Sequence, residues 1–257
     1  MLRRRAAPFL PLLLFIGSLA CTDNDRPSVS DEVVAPDSGA VTTLSLDDVA
    51  EGSSLIATAR GPAIGVYDAP DAPAPSRELQ PTVYETEQGP VSVPLVFLVF
   101  DQQDGWLDVY LPVRPNGSRG WVRERDVSLS QNPYRIEVDV TNHEITVFED
   151  NAEFLQGPIG VGTQDTPTPG GIYYIKELLQ PPDPNTVYGP YAYGLSGFSD
   201  VLESFNGGEG VIGIHGNNNE SSLGNDVSAG CIRMDNNQIT ELVEKPLPLG
   251  TPVEIIS

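Results

Sequence analysis

Cysteine, histidine, methionine and tryptophan each occur only twice in the 257 residues, and Lys and Arg together number 14 against 36 Asp and Glu. Two cysteines, Cys21 and Cys231, leave room for at most one bridge and exclude a disulfide framework. Two histidines, His143 and His215, make a metal centre a poor fit, because one thiol and two imidazoles would have to recruit a carboxylate such as Asp226 and no close ligand pair exists. We therefore expect no metal and no cofactor. The formal charge of −22 is spread along the chain, which argues against nucleic acid or any anionic polymer as an electrostatic partner. Apolar runs are short: Ala6 to Ala20 is broken by Pro8, Pro11, Gly17 and Ser18 and falls below the length of a membrane span. No repeat of about 20–50 residues is present.

What is there begins with an export signal. Arg3, Arg4 and Arg5 precede the apolar run, and Gly17-Ser18-Leu19-Ala20-Cys21 closes it before acidic sequence. The closing segment resembles the lipobox of bacterial lipoproteins, with Ser18 where leucine is usual and Leu19 one place late. The resemblance implies a signal peptide over 1–21, lipidation of Cys21, and a protein in the cell envelope, held at the outer face of the cytoplasmic membrane or in the periplasm. A lipidated or excised Cys21 cannot pair, so Cys231 is then a lone thiol outside the cytoplasm, the situation of a reactive group.

The fold is expected to be mainly β. Residues 22–54 carry eight acids, one arginine and no aromatic residue, and read as a flexible acidic tether; a short strand near Val41 to Leu46 is the competing reading. From 55 to 130, short strands alternate with turns. Leu95 to Phe100 suits a buried strand, Trp106 to Leu111 alternates, and Pro115-Asn116-Gly117 marks a turn before Gly120-Trp121-Val122. This segment resembles a bacterial SH3-like barrel in its Gly-Trp dipeptides and length. Its two tryptophans suit a ligand groove or, more commonly, a core.

From 134 to 257, Ile136, Val138 and Val140 alternate, Thr141-Asn142-His143 suits a turn, and Ile145, Val147 and Phe148 continue as a second strand. Thr166-Pro167-Thr168-Pro169-Gly170-Gly171 is a rigid bend before a strand over Ile172 to Lys176, and an irregular loop runs from Pro181 to Tyr193. Val211 to Ile214 is a short buried strand ending at His215, and Val253 to Ile256 closes the chain. Ile239, Leu242 and Val243 share the spacing of the single main helix, which Asp235 or Asn236 is placed to cap.

Cys231 stands in polar, glycine-rich sequence sixteen positions after His215 (231 − 215). A thiol needs a nearby base or positive field to react at neutral pH, and a histidine supplies one. His143 sits in a predicted exposed turn, so His215 is the candidate base. Small residues Ser228, Ala229 and Gly230 precede the thiol and let a carbonyl approach the backbone. The amides of Gly230 and Cys231 are candidate oxyanion donors. Arg233 lies on the same face as residue 231 if the segment is extended, free to bind a substrate carboxylate or to pair with Asp226 or Asp235.

His215-Gly216, Gly224 and Ser228-x-Gly230-Cys231-Ile232-Arg233-Met234 are similar to the signature of the YkuD family, the L,D-transpeptidases of bacterial cell walls. The similarity extends through the opening hairpin, Thr168-Pro169-Gly170-Gly171 and Gly250-Thr251-Pro252-Val253. It implies a β-rich YkuD-type catalytic domain and peptidoglycan stem peptides as partners. Cys231 would attack the carbonyl of the third stem residue, release D-alanine and hold a thioester. An amine would resolve it to a 3→3 cross-link, or water to a trimmed stem. His215 would be the base and the carbonyl of Gly216 its orienting partner, with Ser228, Ala229, Gly230 and Arg233 shaping the oxyanion and substrate site. Carbapenems would acylate the thiol. Two departures from the family pattern are Ala229, where many members have histidine, and Gln238, where aspartate is common. A wall-binding lipoprotein without catalysis is the reading from another class.

Overall fold

Short β-branched segments between turn residues build two antiparallel-rich sheets that share a face. The computed structural model describes residues 44–86, 89–204, 208–245 and 247–257. The leader over 1–21, Cys21 and the tether as far as residue 43 lie outside the described residues. The tether reading over 22–54 is corrected at its end. A 3₁₀ turn, Leu46–Asp48, capped by Ser45, occupies residues assigned to it, and Leu44, Leu46 and Val49 pack on the first core. Three apolar side chains within six residues are enough to anchor the segment despite its acids.

The N-terminal part runs β1 (Ser54–Ala59), β2 (Ile64–Val66), β3 (Arg77–Leu79), β4 (Val83–Thr86), β5 (Gly89–Ser92), β6 (Val96–Gln103), β7 (Trp106–Tyr110), β8 (Arg119–Arg123) and β9 (Val127–Asn132). Five strands form one sheet in the order β8-β7-β6-β1-β9, while β2–β3 and β4–β5 are separate hairpins. Leu55, Ala57, Phe97, Val99, Leu107, Val109 and Val122 alternate onto its inner face. Trp106 is buried, edge-on to Tyr67 at 4.9 Å, and Trp121 is half-buried with its backbone paired to Tyr67.

Pro133 alone separates β9 from β10 (Tyr134–Asp139). Then follow β11 (Glu144–Glu149), β12 (Ala152–Pro158), β13 (Val161–Gly162), β14 (Gly171–Leu179), β15 (Ala192–Phe198), β16 (Val211–His215), β17 (Asp226–Ser228), β18 (Ile232–Arg233), α1 (Asn236–Glu244) and β19 (Pro252–Ile256). Eight of them form a curled sheet in the order β12-β11-β10-β19-β14-β15-β16-β18, and β13 pairs with β17. The predicted hairpin is β10–β11, with Val138 opposite Ile145 and Ile136 opposite Val147, and His143 at φ +54 in its turn. Strands β12 and β15 went unanticipated: Gly157 and Pro158 end β12 like a turn, and the glycines of β15 hide its alternation. Asp235 caps α1, its carboxylate accepting from the amides of Asn237 and Gln238, and Ile239 and Leu242 enter the core completely. Each buried side chain of that size contributes about 1.5–3 kcal/mol, enough to hold a nine-residue helix that would not persist alone.

A third cluster joins the two sheets. Ile56, Val96 and Leu98 bury against Tyr174, and a Cβ on Gly250 would meet Ile56 Cγ2 at 2.5 Å. Asn132 donates to Thr251 Oγ1 across the same seam at 2.9 Å. Arg114 donates to the carbonyls of Ser199, Leu202 and Glu209, and Asn116 exchanges two hydrogen bonds with the Phe198 backbone.

Candidate active site

Strand β16 ends at His215, which is 3% exposed. Its neighbour β18 runs parallel, with His215 opposite Arg233, so Cys231 falls just before β18 and above Gly213. Thiol and imidazole line one cleft of about 360 Å³ together with Tyr84, Lys176, Glu177, Tyr188 and Gly194. Cys231 is half-buried and unpaired.

The thiol loop is fastened from below. Gly230 takes φ +116, a left-handed conformation that other residues avoid. Ser228 Oγ donates to the Cys231 carbonyl at 2.5 Å and accepts from the Gly230 amide at 3.1 Å. The Gly230 amide is thus occupied, which corrects its expected role as a free oxyanion donor; the Cys231 amide is the donor left at this turn. Thr168, fully inside the bend of prolines, accepts from the Gly162 amide at 2.8 Å and donates to the Gly230 carbonyl at 3.0 Å. Thr163 N–H and Thr166 Oγ1 both reach the Ser228 carbonyl. Sequence reasoning saw a rigid bend here and missed that its threonines bind the nucleophile loop. Ala229 is half-buried between these anchors.

The imidazole is fixed by its own next residue. His215 Nδ1 lies 2.7 Å from the Gly216 carbonyl oxygen, so Nδ1–H donates and Nε2 is left as the basic nitrogen. Asn217 and Asn236 lock that turn: Asn236 accepts from the Asn217 amide and donates to its carbonyl, and Asn217 Nδ2 reaches the Met234 carbonyl. A Cβ on Gly216 would strike Asn236 Oδ1 at 2.3 Å, so only glycine fits. The ring edge of Tyr188 stands over His215 at 5.0 Å between centroids.

Burial sets the protonation states. It holds the His215 imidazole down at about 4, with Arg233 adding to the effect and the carbonyls of Gly216 and Val187 opposing it. Burial also pushes the Cys231 thiol up, while the Gly213 amide at the sulfur and Arg233 pull it back. At neutral pH the pair is thiol and neutral imidazole rather than an ion pair. A buried neutral base that shares a cleft with a thiol is in the protonation state to take its proton as the sulfur attacks.

Arg233 is held by reciprocal backbone bonds to Gly160 at 2.8 and 2.9 Å. Its Nε is buried with no partner, and among the described residues no carboxylate pairs with it. Neither local acid proposed for it is available: Asp226 binds His143 Nε2 at 2.8 Å, and Asp235 caps α1. His143 is therefore occupied away from Cys231. Among the described residues, no group of three or more His, Cys, Asp or Glu is placed to hold a metal ion.

Residues 133–255 match the YkuD family model, the L,D-transpeptidase catalytic domain. The chain is 37% identical over 123 residues to the YkuD protein of Bacillus licheniformis, covering 48% of this chain and 66% of that one. It is 32% identical over 138 residues to the YqjB protein of Bacillus subtilis, covering 49% and 73%. Bd1075 of Bdellovibrio bacteriovorus, a solved structure, is 28% identical with a TM-score of 0.38, covering 49% of this chain and 48% of that one. The chain thus spans about two thirds of the length of the Bacillus YkuD relative. By its sequence, this chain belongs to the YkuD family.

Proposed function

We propose that the protein is a peptidoglycan L,D-transpeptidase that works through a cysteinyl thioester. What supports this reading is that the free Cys231 thiol and the buried neutral His215 line one cleft, with the charge of Arg233 acting on both. The sulfur attacks the carbonyl carbon of the third stem residue as His215 Nε2 takes the thiol proton. The imidazolium so formed is stabilised by the carbonyls of Gly216 and Val187. The developing oxyanion lies near the Cys231 amide, with the Arg233 guanidinium close by. Collapse breaks the C–N bond, His215 passes its proton to the departing D-alanine amine, and a thioester remains. A second stem's amine then attacks, loses its proton to His215 and expels the sulfur, which recovers that proton. The product is a 3→3 cross-link. The protein is exported and anchored through lipid on Cys21, and the N-terminal five-stranded unit is an SH3-like module.

Incubation with tetrapeptide-bearing muropeptides and mass spectrometry of the products tests the reaction. A cross-linked dimer with loss of D-alanine is expected, and a carbapenem should add covalently to the wild type but not to Cys231→Ala. A shortened monomer alone would make the enzyme a carboxypeptidase; unchanged substrate without any adduct would overturn the reading.

A further inference from the structure

Three neighbouring strands place Glu177, Gly194 and Gly213 in one row, since Glu177 registers with Gly194 and Gly194 with Gly213. Cys231 precedes the β16–β18 pairing by one residue and lines the same cleft as Gly213, so the row runs from a carboxylate toward the nucleophile. Its floor is bare backbone. A Cβ on Gly194 would lie 2.5 Å from Glu177 Oε1, and one on Gly213 would lie 2.7 Å from the Tyr193 carbonyl oxygen. The Glu177 carboxylate thus folds back over Gly194, one strand spacing, about 5 Å, from Gly213.

Over Gly194 stands an ion pair with unused hydrogen-bonding capacity. Glu177 is 5% exposed, and Tyr84 of the N-terminal part donates to its Oε2 at 2.6 Å. Lys176 Nζ stands 3.7 Å from Oε1, beyond hydrogen-bond reach. Among the described residues, no donor satisfies Oε1 and no acceptor satisfies the Lys176 ammonium. Oε1 is not sealed away from the cleft, so an incoming donor can reach it. All three side chains line the cleft that holds Cys231 and His215. An anion and a cation side by side complement an amino-acid head, with ammonium and carboxylate on one carbon.

We propose that Glu177 and Lys176 bind the distal amino-acid head of the donor's third residue, with Tyr84 as the positioning residue. The favoured donor is then a 2,6-diamino diacid stem over a lysine stem. This rests on the transpeptidase reading above and names its substrate. The reach suffices: six bonds separate the attacked carbonyl from the distal nitrogen, about 7 Å when extended, more than the single strand spacing between Gly194 and Gly213.

The test uses the full chain carrying Cys231→Ala, titrated calorimetrically with two synthetic tetrapeptides. They carry meso-diaminopimelate or L-lysine at position three and so differ in one distal carboxylate. The diaminopimelate peptide should bind about tenfold tighter. Lys176→Met should equalise the two, and Glu177→Gln should weaken both about tenfold. Tyr84→Phe should weaken both by less, because the carboxylate stays while its orienting donor goes. The ratio between the two peptides is a readout that loss of stability alone would not move, and it needs no variant at Lys176. Equal affinities, no binding of either peptide, or a preference that survives Lys176→Met would overturn the proposal. Acylation of the unmutated enzyme, followed separately by mass spectrometry, tests the transpeptidase reading: its absence beside intact discrimination would sink that reading alone.

Discussion

Replacing His215 by Gln removes a titrating ring while keeping a neutral side chain of similar reach, and its consequence for stability against pH follows from burial. The imidazole ionises near 6.5 in the unfolded chain and at about 4 in the fold. Because the folded value is depressed, the unfolded state binds the extra proton between these two values. Stability is therefore complete above pH 6.5 and is lost as the pH falls toward 4. At about 1.4 kcal/mol per pH unit, the loss reaches about 2 kcal/mol by pH 5 and about 3 kcal/mol by pH 4. Carboxylates titrate in the same range, so the useful quantity is the difference between wild type and His215→Gln. Urea unfolding at intervals from pH 7.5 to pH 4 should show the wild type losing about 3 kcal/mol more than the variant. Parallel curves would mean that the ring is not buried neutral, and the assignment of a neutral base would fall with it.

In His215→Gln, where no ring assists, alkylation of Cys231 by iodoacetamide should rise about tenfold per pH unit from 6 to 8 without a plateau, since burial raises the thiol; a plateau beginning near pH 5 in that variant would show that the thiol is not raised. Thr168→Val should cost about 1–3 kcal/mol in chemical unfolding, because it strands the buried Gly162 amide, and should slow acylation by loosening Gly230. Gly230→Ala meets no hard contact, its nearest neighbour being the Pro167 carbonyl oxygen at 3.5 Å, so its cost is the φ of +116 alone. It should lose about 1–3 kcal/mol and most acylation activity, measured by denaturation and by adduct formation.

The parts of the fold legible in the sequence were those where one face alone is buried. The β10–β11 hairpin and the α1 stripe of Ile239 and Leu242 show clean periodicity because polar residues fill the other face. Strand β15 escaped because Gly194 and Gly197 stand where close neighbours leave no room for a side chain, Glu177 against one and Tyr173 against the other. Glycine carries no hydropathy signal. Cys231 and His215 stood out by scarcity, and the short connection between parallel strands explains how sixteen residues return one to the other. Tyr84 and Glu177 gave no such signal, being common residue types 93 positions apart, brought together by tertiary packing alone. The Gly230 amide misled because a serine two residues back takes it up, a local hydrogen bond that composition does not reveal.

The seam around Tyr174 bears on how such chains can be recombined. With a single proline between β9 and β10, and with Ile56, Val96 and Leu98 closing over a tyrosine from the other sheet, a fragment beginning at Tyr134 would open that tyrosine to water and leave Glu177 without its phenol. Shuffling the front half between relatives is therefore not an exchange of independent beads on a string. The two sheets have to travel together, since a swap made at Pro133 would part Tyr84 from Glu177 and Ile56 from Tyr174.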